Sequence, residues 1–232
     1  DPDLQGVWSS DDATMPMSRP QNFGDRLYLN DEEFDARQKQ IQTGISNAEN
    51  AVGPFRGDFA RRAFRQTSLI VDPPDGRTPA FTAEAQKRRA PRDQGTFGNG
   101  PFNSFEDFSL YDRCITRGVG GIMPVLYGNG VRIAQTPNEV IISYEMIHDT
   151  RVIPLDGRPH IGSGIKQYMG DARGHWEGDT LVVETRNFTD KTSIAGLHSD
   201  QLKLTEWFTR IDPQMIDYRI KVEDPATYAA PF

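Results

Sequence analysis

The residues with the greatest capacity for chemistry lie in one stretch of the chain, residues 140–191. This stretch holds three of the four histidines, among many aspartates and arginines. An imidazole oriented by a carboxylate suits general acid–base catalysis near neutral pH. The stretch therefore predicts a site of proton transfer or of ligand binding, and its strand patterns indicate which elements position the residues.

The residues before His148 alternate in the manner of a β-strand. Every second side chain of a strand points to the same face, which places Tyr144 and His148 with Val140 and Ile142. We therefore predict that His148 ends a mostly apolar face and that Tyr144 donates a proton or holds an oxyanion. Two interpretations of His148 stay open: a titratable group at the mouth of a barrel or sandwich, or a part-buried structural histidine.

Two turn segments repeat the order Asp, Arg, His, and their members are Asp156, Arg158, His160, Asp171, Arg173 and His175. Loops that are held by a rigid sheet often carry catalytic residues. We predict acid–base roles for Asp171 and His175, supported by Arg151, and substrate contacts from Arg158 and His160. The alternative for each histidine is surface hydrogen bonding without a chemical role.

Strand alternation also indicates polar side chains that face the interior. In residues 180–188 the apolar face carries Thr185 and Asn187, and in residues 202–211 the face of Phe208 carries Glu206 and Arg210. An acid and a base on an apolar face are costly to bury unless they pair or meet a ligand. Glu206 is therefore a catalytic candidate, and the other four are candidate substrate contacts. A structural salt bridge at a barrel end is the alternative.

Other kinds of site are excluded or weakly indicated. The net charge of −7 and a pI near 5.1 disfavour a nucleic-acid partner, because such proteins usually carry a basic surface. Cys114 is the only cysteine, so no disulfide can form within this sequence, and we expect it to be a buried structural thiol. No HxH or HExxH spacing occurs, so a metal site receives little support. No apolar run approaches the ~18 residues of a membrane span.

From residue 118 onward, short alternating segments follow one another between tight turns. The predicted strands cover residues 131–135, 139–148, 151–155, 172–176, 180–188, 202–211 and 215–222. Successive short strands of this kind favour an antiparallel meander that closes as a barrel or folds as a sandwich. The sequence therefore predicts a mainly β protein.

The region before residue 118 is rich in turns. It is predicted to contain short strands at residues 4–8 and 67–71 and helices at residues 31–42, 83–90 and 105–112. We expect one domain, 1–232, in which residues 9–117 wrap the meander of residues 118–232 as loops and short helices. Four aromatic residues of that region are expected to form a lid or a homodimer surface: Phe102, Phe105, Phe108 and Tyr111.

Two segments of the chain resemble known families. Gly6-Val7-Trp8 is similar to the G-x-W opening of lipocalin-like (calycin) barrels, which implies an antiparallel lipocalin-like β-barrel with a long N-terminal insertion. The motifs IPLDGRPH (153–160), WEGDTLVVET (176–185) and VEDP (222–225) resemble a family of exported bacterial proteins over residues 68–232. That resemblance implies a periplasmic or secreted protein and no particular activity.

The functional hypothesis is an exported enzyme that acts on a small amphipathic or aromatic molecule. Catalysis would be cofactor-free acid–base chemistry of a lyase, isomerase or hydrolase, centred on His148. A non-catalytic carrier of an apolar small molecule is the alternative, and a metal-dependent hydrolase that uses histidine and aspartate is the third.

Overall fold

A computed structural model describes residues 2–10, 15–50, 62–89, 102–123, 130–191 and 198–232. The chain divides into two compact units. One unit comprises Asp1–Trp8, Ala80–Gly121 and Val131–Pro231, and the other comprises Ser9–Pro79, Ile122–Gly130 and Phe232. Much of the described chain lies in turns and irregular segments, as the high glycine and proline content predicts.

The first sheet is antiparallel and has the order β1-β2-β3-β4. Its strands are β1 (Gly6–Ser9), β2 (Gly130–Gln135), β3 (Glu139–Tyr144) and β4 (Thr150–Pro154). The turn between β2 and β3 is fixed by the Thr136 side chain, whose Oγ1 accepts a hydrogen bond from the Glu139 backbone N–H at 3.0 Å. The alternating apolar residues of β3 are buried at Val140, Ile142 and Tyr144, as predicted.

The second sheet is also antiparallel and has the order β5-β6-β7-β8. Its strands are β5 (Asp171–Glu177), β6 (Thr180–Arg186), β7 (Lys203–Asp212) and β8 (Met215–Glu223). Two tight hairpins join β5 to β6 and β7 to β8, at the turns that the sequence indicated. The prediction of a mainly β, antiparallel protein is confirmed. In the part of the chain that the structure describes, the strands form two separate sheets and no closed barrel.

The apolar faces of the two sheets meet to form a core. Gly174 of β5 shows how close they come, because a Cβ at this position would lie 2.8 Å from Ile153 Cγ2 of β4. The core side chains alternate along each strand, with Leu181 and Val183 on β6 and Leu204 and Phe208 on β7 fully buried. Period-two alternation therefore placed these four residues inside correctly, although Val182, on the opposite face of β6, is buried too.

The predicted strand at residues 139–148 is too long, because β3 ends at Tyr144. Ile147 and His148 both have positive φ, 63° and 64°, which reverses the chain before β4. A residue in this left-handed conformation cannot continue a strand. His148 therefore lies in a turn and does not end the apolar face of β3.

Helix α1 (Asp31–Asn50) begins where it was predicted and extends further. The Asn30 side chain accepts a hydrogen bond from the Glu33 N–H at 2.8 Å, and the Glu33 carboxylate accepts one from the Asn30 N–H at 3.0 Å. This reciprocal arrangement is a capping box, and it explains why the helix begins at residue 31 as predicted. Helix α2 (Ala83–Arg89) is likewise capped by Thr82, whose Oγ1 accepts from the Ala85 N–H at 3.1 Å.

Three local predictions are wrong. Residues 67–71 form no strand, because their N–H groups donate to the irregular backbone of Pro16, Met17 and Leu27. The helix predicted at residues 105–112 is only a 3-10 turn at Phe105–Asp107, after which Phe108 is extended. The Cys114 thiol is exposed rather than buried.

Candidate functional site

A charged pair is buried between the two sheets. Arg151 of β4 donates from Nη1 to Glu206 Oε1 at 2.9 Å and from Nη2 to Oε2 at 2.5 Å, across to β7. The side chains are 2% and 0% exposed. This bidentate geometry is the strongest form of a guanidinium–carboxylate contact. The pair therefore joins one sheet to the other within an otherwise apolar core.

Three hydroxyl groups complete what we call the inter-sheet cluster, which consists of Tyr144, Arg151, Thr185, Glu206 and Tyr218. Arg151 Nη2 also donates to Thr185 Oγ1 at 3.0 Å, and Nη1 donates to the Tyr144 hydroxyl at 3.3 Å. The Tyr218 hydroxyl donates to Glu206 Oε1 at 3.1 Å. The five residues come from five different strands, β3, β4, β6, β7 and β8.

Strand register explains why these five side chains converge. Glu206 lies opposite Val183 of β6 and Ile220 of β8, so it projects from the same face as those apolar residues. Arg151 lies opposite Ile142 of β3 on the inner face of the first sheet. A shift of register by one residue would move either charged side chain to the opposite face of its sheet.

Burial and nearby charges shift the pKa values of three members of the inter-sheet cluster, Arg151, Tyr144 and Tyr218. Burial lowers the pKa of Arg151, but the charge and hydrogen bonds of Glu206, with a contribution from Tyr144, outweigh burial and raise this pKa above its usual range. Burial, followed by the nearby Glu206 charge, raises the pKa of Tyr218 well above its usual value. Burial also raises the pKa of Tyr144, against an opposing effect of Arg151. Arg151 therefore stays charged, and both tyrosines stay protonated.

The guanidinium of Arg151 has one N–H group, on Nε, that is not used within the inter-sheet cluster. Among the described residues, no acceptor forms a hydrogen bond with the buried Nε of Arg151. The indole Nε1 of Trp176, on the inner face of β5, is in the same situation. Buried donors normally have partners, so these two N–H groups are candidates for contact with a bound molecule.

The structure brings together four of the predicted site residues, Tyr144, Arg151, Thr185 and Glu206, and adds Tyr218 to them. Phe208 lies beside them on β7, with its ring 4.8 Å from that of Tyr218. The sequence analysis did not nominate Tyr218, although alternation within residues 215–222 groups it with Ile216, Ile220 and Val222. An inward tyrosine on an apolar face was the available signal, because a buried phenol needs a hydrogen-bond partner.

Arg210 does not pair with Glu206, although both project from the same face of β7. Its Nη1 donates to the Asp3 carbonyl oxygen at 2.8 Å, and its guanidinium lies 5.3 Å from the centre of the Trp8 ring. Arg210 is thus held at the N-terminal segment. The predicted acid–base pair within β7 is replaced by a pair between the two sheets.

Two predicted catalytic histidines lie outside the inter-sheet cluster. His148 lies in the turn after β3. His175 is exposed on the outer face of β5, where Nε2 is 2.9 Å from Glu177 Oε1. Neither forms a hydrogen bond with Tyr144, Arg151 or Glu206 in the described structure.

A second group, which we call the outer cluster, consists of His160, Asp171, Arg173 and Glu184. His160 Nδ1 is 2.8 Å from Asp171 Oδ2, and its Nε2 is 3.2 Å from Glu184 Oε1. Asp171 also accepts from the Ile161 N–H at 3.0 Å and from Arg173 Nη1 at 2.6 Å. These hydrogen bonds outweigh the opposing effect of burial and lower the pKa of Asp171.

Two other predicted substrate contacts lie near the outer cluster. Asn187, with φ of 59°, donates from Nδ2 to the Ile161 carbonyl oxygen at 2.9 Å. Arg158 is exposed and pairs with Asp156, whose pKa falls to about 2 through that hydrogen bond. Of the two predicted Asp-Arg-His segments, His160 of the first thus contacts Asp171 of the second, which is also bound by Arg173.

No three of the histidine, cysteine, aspartate and glutamate side chains in the described segments are arranged to hold a metal ion. No helix among the described residues is both long enough and apolar enough to cross a membrane. Comparisons of the chain with protein-family models, with curated proteins and with solved structures found no match. Function is therefore inferred from the inter-sheet and outer clusters.

Proposed function

We propose that the protein binds a small amphipathic or aromatic molecule between its two sheets. The inter-sheet cluster would meet the polar end of that molecule, and the surrounding apolar residues would contact the rest. The observation that carries the proposal is a buried Arg151–Glu206 pair with three hydroxyl groups in an apolar interior. Ligand pockets have this composition, with mostly apolar walls and a few convergent polar groups.

Binding receives more support than catalysis at the inter-sheet cluster. A general base must have a lone pair that can accept the substrate's proton. Three of the four lone-pair positions of the Glu206 carboxylate accept hydrogen bonds, from both terminal nitrogens of Arg151 and from the Tyr218 hydroxyl, so at most one is left for a substrate. The Arg151–Glu206 pair and the protonated hydroxyl groups of Tyr144 and Tyr218 are suited to orienting a bound molecule through hydrogen bonds. The carrier hypothesis therefore takes precedence over acid–base catalysis at Glu206.

A second candidate function is acid–base catalysis at the outer cluster. His160 is held between two carboxylates and is only partly buried, with 21% of its side chain exposed. Asp171, which contacts Nδ1, would orient the imidazole, as carboxylates do for catalytic histidines. This proposal retains the predicted enzyme but replaces His148 by His160 as the proton-transferring group. The transferring atom would be Nε2, whose 3.2 Å contact with Glu184 must be exchanged for one with the substrate.

The proposed binding function agrees with the remaining expectations from the sequence. The similarity to G-x-W proteins supports a lipocalin-like arrangement of the sheets, and the similarity to exported bacterial proteins supports a periplasmic or secreted carrier. The exposed aromatic rings fit the expected lid or homodimer surface, because Phe105 is 69% exposed and the rings of Phe102 and Phe108 stack at 4.4 Å.

Binding is tested with the fluorescent probe N-phenyl-naphthylamine, a neutral amphipathic aromatic molecule. We expect saturable binding to the wild-type protein and weaker binding to Phe208→Leu, which removes a buried aromatic wall. Val152→Ala, at a position 49% exposed, is the control and should bind as the wild type does. No saturable binding, or equal binding by the wild type and Phe208→Leu, would contradict the proposal. Native mass spectrometry of the purified protein should also show an organic adduct.

The outer cluster is tested with p-nitrophenyl acetate, an ester that imidazole groups hydrolyse. His160→Gln should slow its hydrolysis by at least about tenfold, as loss of a general base does. Glu177→Gln, which changes an exposed carboxylate on the same sheet, is the matched control. Equal rates for all three proteins would exclude His160 as the catalytic group for this ester.

A further inference from the structure

We infer that the polar group recognised by the inter-sheet cluster is a neutral hydrogen-bond acceptor, the carbonyl oxygen of a ketone, ester or amide. The inference rests on the proposed binding function and specifies the ligand's chemistry. It follows from which hydrogen-bonding positions of Arg151, Thr185 and Glu206 are already used.

The planar guanidinium of Arg151 has five N–H donors in fixed directions. The two oxygens of Glu206 accept from Nη1 and Nη2 and so occupy the outer end of the guanidinium. Thr185 accepts from Nη2 as well. The remaining N–H, on Nε, is buried, and no described residue accepts from it.

Thr185 supplies a second donor beside the same guanidinium. A hydroxyl group can accept and donate at the same time. Thr185 Oγ1 already accepts from Arg151, which leaves its own proton to be donated. In the proposed complex, the Nε–H of Arg151 and the O–H of Thr185 would donate to a single acceptor oxygen.

The charges of the inter-sheet cluster favour a neutral ligand over an ion. The Arg151 charge is balanced by Glu206 at 2.5 Å, so a carboxylate or phosphate would add an uncompensated negative charge to a buried site. A cationic ligand would have to approach Glu206 beside the three donors already bound to it and next to the charged guanidinium of Arg151, which repels it. A carbonyl oxygen satisfies the free donors and adds no charge.

Prodan, a naphthalene fluorophore with a ketone, tests this inference when it is compared with the same dimethylaminonaphthalene lacking the propionyl group. We expect the wild-type protein to bind prodan about tenfold more tightly, since a site that is built to donate hydrogen bonds rejects an analogue without the acceptor. The emission of bound prodan should also lie to the red of its emission in an aprotic solvent, because its ketone is hydrogen-bonded.

Thr185→Val is the informative variant, because it removes the hydroxyl and leaves the Arg151–Glu206 pair in place. It should reduce the preference for prodan to about twofold or less and shift the bound emission to the blue. Thr205→Val, the same change on the outer face of neighbouring β7, is the matched control and should retain the preference. Arg151→Lys keeps the charge and removes the Nε donor, so it should also lose the preference.

The outcomes separate this inference from the proposed function. If both fluorophores bind equally well, or if Thr185→Val keeps the preference for prodan, the protein binds aromatic molecules but the carbonyl assignment is wrong. Tighter binding of the anionic fluorophore anilinonaphthalene sulfonate than of prodan would also overturn the assignment. If neither naphthalene binds, the proposed binding function itself fails.

Discussion

The carboxylate of Glu206 accepts hydrogen bonds from three donors in the inter-sheet cluster, and its side chain has no exposed surface. At the scale of single residues, this is where the protein is most sensitive to substitution. Taking two charges out of water is expensive, and only the mutual attraction and hydrogen bonds of Arg151 and Glu206 offset that cost. Loss of one partner leaves the other as an uncompensated buried charge.

We expect Glu206→Gln to lower the free energy of unfolding by about 3 kcal/mol, because the Arg151 charge is then buried without a counter-charge. Arg151→Met should have a similar effect, and the double variant should lose clearly less than the sum of the two. Urea unfolding of all four proteins measures this coupling. Asp217→Asn, which breaks an exposed pair with Arg219, serves as the control. Additive losses in the double variant would show that the two side chains do not interact.

The carboxylate of Glu184 makes the free energy of unfolding depend on pH in the acidic range. Burial raises its pKa, but its hydrogen bonds with Arg186 and Lys203 outweigh burial and lower the pKa to about 2, from 4.5 in the unfolded chain. A lowered folded-state pKa contributes stability above the unfolded value, and this contribution is lost as pH falls through the folded value. We expect Glu184→Gln to be less stable than the wild type near neutral pH.

The stability difference between wild type and Glu184→Gln should shrink between pH 4.5 and about 2, the two pKa values that bound the transition. Urea midpoints at a series of pH values measure it. Glu177→Gln changes an exposed carboxylate of the same sheet and should show a smaller difference. A difference that stayed constant with pH would mean that the Glu184 charge does not stabilise the fold.

At the scale of elements, the connection into β5 depends on close contact at Gly170. This residue has a φ of 67°, and a Cβ there would lie 2.7 Å from Thr185 Cγ2 and 2.8 Å from the Arg186 carbonyl oxygen. Gly157 has a similar φ of 73°, but a Cβ there would meet no atom within 4 Å. The two glycines share a backbone conformation and differ in packing.

Gly170→Ala should therefore destabilise the protein by about 3 kcal/mol, from backbone strain and overpacking together, whereas Gly157→Ala should cost only about 1 kcal/mol from strain. Urea unfolding of the two variants separates the contributions. Similar losses for both would show that the backbone around Gly170 moves aside without cost, and the packing argument would then fail.

At the scale of the molecule, the central strands of the second sheet are expected to be more stable than its edge strands. β6 and β7 each pair with a neighbour on both sides, while β5 and β8 lie at the edges of their sheet. The backbone hydrogen bonds of core strands break only in global or nearly global unfolding, whereas those of edge strands also break in local openings. We expect the backbone amides of β6 and β7 to exchange with deuterium most slowly within this sheet. Mass-spectrometric exchange measures the rates, and faster exchange in β6 than in β8 would contradict the expectation.

Much of the fold could be predicted because the signals are local. Alternation identified the strands of both sheets and the inward side of Tyr144, Thr185 and Glu206, since side-chain direction in a strand depends only on position. The helix starts at residues 31 and 83 were predicted for the same reason, because the caps that fix them, Asn30 and Thr82, are local signals. The strand limit near His148 was missed, because alternation continued in the sequence after positive φ angles had turned the chain.

The sequence by itself determined that Glu206 faces an apolar interior and therefore needs a partner. Only the tertiary structure decided that the partner is Arg151, which is 55 positions away, and not Arg210 on the same face of β7. Periodicity assigns a side chain to a face, but it does not specify which face of another sheet packs against it. That choice depends on how two sheets distant in sequence align, a non-local property of the folded chain.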